Sequence, residues 1–290
     1  MIRFISVDGK VYTGDALVSR KNPDIRSCSF ARVIHGDPFA NYSLGPVIEV
    51  SKLLTPIPWS KIRTVRCLGL NYAKHAQEAG MPLPETPIIF QKPVTAISGP
   101  TADIQVPKMY QTPGMDYEGE LVVLIGKACY NVSPSDAAKY IAGYAVGNDV
   151  SHRGWQLEHG TQWTLGKSHD TFAPIGPAIV KHINPDKLNI KTLVNGEIRQ
   201  NSNTSDMVFK VSEAVSFLSK TATLLPGDLI FMGTPEGVGM GFDPPIFLED
   251  GDIVECQIEG IGSIRNKVSF VSVKQPFGLE HFGKSRLVKI

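Results

Sequence analysis

Glu118 and Glu120 stand one residue apart, directly before the apolar run Leu121-Val122-Val123-Leu124-Ile125. Asp149 closes a second apolar stretch, Tyr144-Ala145-Val146-Gly147-Asn148. Side chains of a strand alternate between its two faces, so both glutamates project the same way. Like charges side by side on one face repel, and a divalent cation removes that repulsion. Ligands that are all oxygen favour a hard ion such as Mg2+, Mn2+ or Ca2+ over zinc. The competing reading of so short a pattern is a half-exposed strand with a solvated acidic face.

Other residues could supply chemistry beside such an ion. His75 and Glu78 lie three apart, on one face of a helix expected after Leu70. A carboxylate beside an imidazole fixes its tautomer and suits a general base near neutral pH; a surface pair of little consequence is the alternative. Gly233-Thr234-Pro235-Glu236-Gly237-Val238-Gly239 follows the apolar run Leu229–Met232, and a glycine-dense turn there lets backbone amides approach an anion. Lys167, after Trp163-Thr164-Leu165-Gly166, can hold a carboxylate. Gln156 can donate to a developing oxyanion. No Walker lysine spacing, nucleophile-elbow G-x-S-x-G or strand-linked G-x-G-x-x-G is found. That disfavours nucleotide, serine-hydrolase and nicotinamide chemistry.

The elements that must position these residues read as many short strands with few helices. The chain has 290 residues, 42% hydrophobic and 20% charged, with 27 Gly and 21 Pro, a globular, turn-rich composition. Its 29 Lys and Arg against 28 Asp and Glu leave +1, which recommends neither nucleic acid nor an anionic membrane as a partner. No run of eighteen apolar residues suggests a membrane span. The N-terminus reads as strand and turn rather than a leader. Cys28, Cys67, Cys129 and Cys256 are isolated from one another and read as reduced, buried thiols of an intracellular protein.

Residues 1–58 are expected to form a small β-rich domain, opening with a hairpin at Asp8-Gly9. Thr55-Pro56-Ile57-Pro58-Trp59 reads as a linker, and residues 59–290 as the main domain. There, Val65–Leu70 is expected as a strand and Asn71 as the cap of a helix reaching Ala79, with Gly80 past its end. Ser133 is expected to cap a second helix through Tyr140, ended by Gly143. A third spans Val208–Lys220, with Val211, Ala214, Val215 and Leu218 on one face. Strands are expected at Leu188–Val194, Leu229–Met232, Ile253–Ile258 and Lys267–Val273. The fold class is α+β and β-rich.

Taken in order, the chain resembles the fumarylacetoacetate hydrolase (FAH) family over about residues 60–273. The resemblance rests on Leu68-Gly69-Leu70-Asn71-Tyr72-Ala73-Lys74-His75, Pro87-Ile88-Ile89-Phe90-Gln91-Lys92-Pro93, Asp116-Tyr117-Glu118-Gly119-Glu120-Leu121 and Gly147-Asn148-Asp149-Val150-Ser151. It continues through Leu165-Gly166-Lys167, Val194-Asn195-Gly196-Glu197 and Gly227–Pro235. It implies a FAH-type roll of mixed β-sheets with a small N-terminal β-rich domain, assembled as a homodimer. It also implies Mg2+ (or Mn2+) at Glu118, Glu120 and Asp149, and a catalytic dyad of His75 and Glu78 on a lid. Lys167 and Gln156 match positions near the substrate's oxygens, and Lys92 and Thr234 match substrate-binding positions.

One stretch departs from the family pattern. Members commonly read Asp-Val-Ser-Ala-Arg-Asp-Trp-Gln, where this chain has Asp149-Val150-Ser151-His152-Arg153-Gly154-Trp155-Gln156. An ion pair made by the second aspartate is therefore missing or replaced. The stretches Gln162–Phe172 and Asn201–Phe209 are most similar to the subgroup with oxaloacetate tautomerases. The resemblance thus implies a Mg2+-dependent tautomerase of oxaloacetate or a related 2-oxo diacid. The alternatives are a C–C hydrolase of acylpyruvates or fumarylacetoacetate-like diketo acids, an oxaloacetate decarboxylase, and an inactive dimeric binding protein. A cytoplasmic location is expected, with the mitochondrial matrix as the alternative.

Overall fold

The computed structural model describes residues 1–18, 24–159 and 162–272. Val273, the expected end of the last strand, and the tail to Ile290 lie outside the described residues. The protein is β-rich and mixed, as its sequence implies.

Strands Ile2–Ser6, Val11–Leu17, Phe30–Gly36 and Tyr42–Leu53 close a small barrel. The Asp8-Gly9 turn forms where expected: the Ser6 amide donates to Lys10 O at 3.0 Å, and Gly9 takes φ +78°. Ile2, Phe4, Ala31 and Leu53 fill the barrel and pack on Ala178 of the main body. Residues 54–58 carry no strand or helix, as the prolines of that stretch require.

A seven-stranded sheet follows, ordered Ile88–Lys92, Val65–Gly69, Leu229–Phe231, Gly119–Ile125, Ile141–Asn148, Ala173–Val180 and Ile97–Ser98. It pairs Leu229–Phe231 with Val65–Gly69 in parallel and Gly119–Ile125 with Ile141–Asn148 antiparallel. Every residue of Gly119–Ile125 is buried. Leu121, Val123 and Ile125 join one core, while Val122 and Leu124 join another. The solvated acidic strand is therefore excluded, because this strand is covered on both faces.

A five-stranded sheet, ordered Glu197–Asn203, Asn189–Val194, Ile253–Ile258, Gly262–Val271 and Ile104–Pro107, packs over it. Gly119 marks a close approach of the two sheets. Its amide donates to Gln200 Oε1 at 3.0 Å, and a Cβ there would collide with Thr192 Oγ1. The residue between the two glutamates must therefore lack a side chain.

The α-helices among the described residues are α1 (Ala73–Glu78), α2 (Arg153–Leu157), α3 (Thr164–Lys167) and α4 (Val211–Thr221). Helix α4 buries Val211, Ala214, Val215 and Leu218, the expected stripe. It starts three residues later than expected, because the Val208 and Phe209 amides bond to Asn71 O and Oδ1, both at 2.8 Å. Asn71 is accordingly not the cap of α1. Its Nδ2 donates to Phe209 O at 3.1 Å and Met232 O at 2.7 Å, and Tyr72 occupies the cap position.

The helix expected from Ser133 is a short 3-10 turn, Ala137–Tyr140. Ser133 Oγ bonds to the Asp136 carboxylate at 2.9 Å instead of to a helix amide. With no side chain capping its first amides, the segment closes as the tighter turn and passes directly into the next strand at Ile141. Gly143 lies inside that strand rather than at a helix end, where a Cβ would stand 2.7 Å from Val180 O.

Candidate active site

The two central strands deliver the carboxylates. Gly119 pairs with Asn148 and Glu120 with Gly147. Asp149 continues past the pairing: its amide donates to Glu118 O at 2.8 Å, while Asn148 Oδ1 accepts the Glu118 amide at 3.0 Å. These bonds bring Glu118, Glu120 and Asp149 together, with one carboxylate oxygen of each within 4.8 Å of the others, all buried.

Three cations surround the cluster. Lys167, the last residue of α3, places Nζ 3.0 Å from Glu118 Oε2, 2.8 Å from Asp149 Oδ2 and 2.7 Å from Ser151 Oγ. Arg153, on α2, places Nη1 2.7 Å from Glu118 Oε1 and Nε 2.8 Å from Asp116 Oδ2. Lys92 lies 2.6 Å from Asp149 Oδ1. Helices α2 and α3 meet at Gly166, where a Cβ would stand 2.5 Å from the Gln156 amide. A side chain there would push Lys167 away from the carboxylates.

The charges shape one another. Burial raises the Glu118 pKa, but Lys167 and Arg153 overrule it and hold the carboxyl below its usual range. Burial lowers the Lys167 pKa, and Asp149 and Glu118 more than restore it. Glu120 is the exception. No Lys or Arg pairs with it among the described residues, and the Gly233 amide donates to its Oε2 at 2.7 Å. Burial, then Asp149 and Glu118, push its pKa well up. A buried carboxylate lacking a counter-ion is costly to ionise, and a hard cation shared with Glu118 and Asp149 relieves it. The all-carboxylate donor set fits a divalent metal, and these three residues could hold it.

Facing Glu118 is a cavity of about 330 Å³, also lined by His75, Glu78, Arg153, Gln156, Lys167 and Thr234. His75 Nδ1 lies 3.0 Å from Glu78 Oε2. A carboxylate only accepts, so Nδ1 carries the proton and Nε2 is left as the basic nitrogen. Gln156 Oε1 accepts from Arg153 Nη1 at 2.9 Å, which leaves its amide nitrogen as the donating end. Thr234 Oγ1 donates to Gly119 O at 3.0 Å and accepts from Gln200 Nε2 at 2.8 Å. Phe90 and Trp163 stack edge-on, with centroids 5.6 Å apart, along the apolar wall.

Lys92 is where the expectation fails geometrically. It is 3% exposed and is not among the cavity-lining residues. Its ammonium is taken by Asp149 and by the carbonyls of Val150 (3.0 Å), Phe172 (2.9 Å) and Lys167. It stands behind Asp149, as a brace for a carboxylate rather than a contact for substrate. The glycine-dense turn also differs from expectation, since its amides meet the protein's own carboxylates. Gly233 donates to Glu120, Gly237 to Glu78, and Gly239 and Met240 to Asp116.

Arg153 and Asp116 went unassigned in the sequence. Both lie within the quoted motifs, but no local spacing reveals that one neutralises the other. Their pair also answers the departure at Gly154. Arg153 is already held by Asp116 and Glu118, so the ion pair does not need an aspartate at position 154. His152 instead caps α2, its Nδ1 accepting the Trp155 amide at 3.3 Å.

A mixed β-roll with three carboxylates buried between its strands, beside a His–Glu pair, defines the class. Residues 64–269 match the family model for the fumarylacetoacetate (FAA) hydrolase C-terminal domain, and the chain belongs to that family. Among relatives, a fumarylacetoacetate hydrolase domain-containing protein 2 homolog of Dictyostelium discoideum is 50% identical over 234 residues, 76% of this chain and 75% of that protein. The mitochondrial oxaloacetate tautomerase Fahd2a of Rattus norvegicus is 45% identical over 226 residues, 77% of this chain and 72% of that protein. The crystal structure of 2-hydroxyhepta-2,4-diene-1,7-dioate isomerase from Mycobacterium marinum superposes with a TM-score of 0.80 at 40% identity, covering 93% of this chain and 97% of that one. The protein is thus an enzyme of this family, and its relatives place it with the oxaloacetate tautomerase-like subgroup.

Proposed function

We propose that the protein is a metal-dependent enol–keto tautomerase of oxaloacetate or a related 2-oxo dicarboxylic acid. The observation that carries the reading is that Glu118, at the head of the carboxylate cluster, and the His75–Glu78 pair line one cavity. The names of the relatives support an isomerase or tautomerase activity.

Glu118, Glu120 and Asp149 would hold Mg2+ or Mn2+, which supplies a Lewis acid that stabilises negative charge developing on the substrate's oxygens. The protein's own residues do the rest. Glu78 fixes the imidazole, and His75 Nε2 would carry the proton between the substrate's carbon and its enol oxygen. Gln156 presents its amide nitrogen to substrate oxygens, while Lys167, its ammonium held by Glu118, Asp149 and Ser151, lines the same cavity with Thr234 and adds positive charge there. Leu68, Phe90, Trp163 and Met240 line the same cavity and limit water near the transferring proton.

Hydrolysis of an acylpyruvate is the second reading. It is favoured by the same dyad, which could activate water instead. Ultraviolet absorbance of enol-oxaloacetate, followed with and without chelator, separates the two. Metal-dependent acceleration of its decay supports tautomerisation, and its absence sinks it. Pyruvate released from acetylpyruvate would favour the hydrolase. We further propose a homodimer, checked by sedimentation. No described helix is long and apolar enough to cross a membrane. Cell fractionation decides between the cytoplasm and the mitochondrial matrix; the rat relative's name calls that protein mitochondrial.

A further inference from the structure

Asp116 is fully buried and is not among the residues lining the cavity, yet it collects four donors. Oδ1 accepts the amides of Tyr117 at 2.8 Å and Gly239 at 2.7 Å. Oδ2 accepts Arg153 Nε at 2.8 Å and the Met240 amide at 3.1 Å. Four donors match the lone-pair sites of one carboxylate, so no site remains for a metal or substrate. Its partners belong to two different parts of the active site.

On one side, Arg153 carries on to the carboxylate cluster, its Nη1 2.7 Å from Glu118 Oε1. On the other, Gly239 and Met240 end the turn that begins at Gly233. Within that turn the Gly237 amide donates to Glu78 Oε1 at 2.8 Å, while Glu78 Oε2 holds His75 at 3.0 Å. Gly241 touches the same side chain, since a Cβ on it would stand 2.5 Å from Glu78 Cδ. Charged hydrogen bonds therefore run unbroken from Glu118 through Arg153 to Asp116. From there they pass into the turn and on to Glu78 and His75.

We propose that Asp116 is a positioning residue that sets the turn, and through Glu78 the His75 imidazole, in register with the carboxylate cluster. The inference rests on His75 and Glu78 being the proton-transferring pair proposed above. Helix α1 is only six residues long, and so short a helix has little stability of its own. The Gly237–Glu78 bond fixes the orientation of Glu78, and Asp116 fixes where Gly237 stands. The carboxylate of Asp116 also supplies the charge that keeps Arg153 from turning wholly onto Glu118.

The test compares Asp116→Asn with the native protein. An amide there presents hydrogens to donors and removes the charge opposite Arg153. Three results are expected. Hydrogen exchange of the Gly237 amide rises by about tenfold or more, while the Gly233 amide, held by Glu120, stays as in the native protein. Nitrogen NMR of His75 changes from one tautomer to a mixture. Turnover of enol-oxaloacetate falls by about tenfold or more, with KM changed far less.

Gly239→Ala is the second variant. Its Cβ would collide with Ile246 O and stand 2.7 Å from Asp116 Oδ1, which would press the turn away while keeping the Asp116 carboxylate opposite Arg153. It should reproduce all three effects, and it decides the matter if Asp116→Asn does not fold. The proposal is overturned if His75 keeps a single tautomer in the folded variants, or if Gly233 and Gly237 loosen together. Exchange and NMR do not depend on turnover. A native protein inert toward enol-oxaloacetate would therefore refute the functional reading and leave the positioning role to be decided on its own.

Discussion

Lys167 Nζ stands 3.0 Å from Glu118 Oε2 and 2.8 Å from Asp149 Oδ2, so a single ammonium bridges two of the three clustered carboxylates. Removing it leaves two buried anions with one cation fewer. Breaking a buried ion pair from one side costs about 3–5 kcal/mol. Lys167→Met should lower metal-free stability by about that amount, read from urea denaturation in chelator. Saturating Mg2+ should narrow the gap to the native protein, because the variant's unneutralised carboxylates bind the ion more tightly and a tighter ligand stabilises the folded state more. An equal gap with and without Mg2+ would count against the metal site.

Glu120 is the cluster's carboxylate without a cationic side chain beside it. Glu120→Gln keeps an acceptor for the Gly233 amide, now 2.7 Å away, and removes a charge that burial and its neighbours disfavour. Metal-free stability should hold or rise, while Mg2+ affinity by calorimetry falls by about 10–100-fold. Unchanged affinity would show that Glu120 is not a ligand.

His75→Asn should remove proton transfer and lower turnover by about 10²–10⁴-fold. Glu78→Gln should cost less, since it disturbs the orientation of the imidazole and the Gly237 contact without removing the base. Mg2+ affinity should stay native in both variants. A large loss of affinity in either would place the pair among the metal's supports rather than in proton transfer.

His152 makes stability depend on pH. Burial lowers its pKa below 6.5, and the neutral ring caps α2 through Nδ1 while Nε2 lies 3.0 Å from Thr112 Oγ1. With the folded pKa depressed, the unfolded chain binds the proton first as the medium is acidified. This contribution is therefore complete above about pH 6.5 and is lost as pH falls through the lower, folded-state value. Urea midpoints should decline from pH 7.5 toward pH 5.5. His152→Asn, which can cap without titrating, should flatten that decline. An identical slope in the variant would assign it to another group.

Much of the site was legible because it is local. An i, i+2 pair on a strand and an i, i+3 pair on a helix share a face whatever surrounds them. Spacing alone therefore put Glu118 with Glu120, and His75 with Glu78, on shared faces, and the ordered family motifs made them a candidate site. The Asp8-Gly9 hairpin and the apolar stripe of α4 were legible for the same reason. Asn71 and Ser133 show the limit. Each has the chemistry of a helix cap, yet a partner outside the expected helix amides claimed its side chain. For Asn71 that partner lies 138 residues away at Phe209.

The sequence by itself determined the family, the β-rich class, and the residue types that could hold a hard cation and move a proton. Only the tertiary structure decided which charges neutralise which. Lys92 braces Asp149 from behind, Arg153 links Glu118 to Asp116, and Asp116 meets Gly239 across 123 residues. The physical reason is burial. Away from water a charge is tolerated only with a partner at hydrogen-bond distance, and chain topology, not spacing along the sequence, supplies that partner.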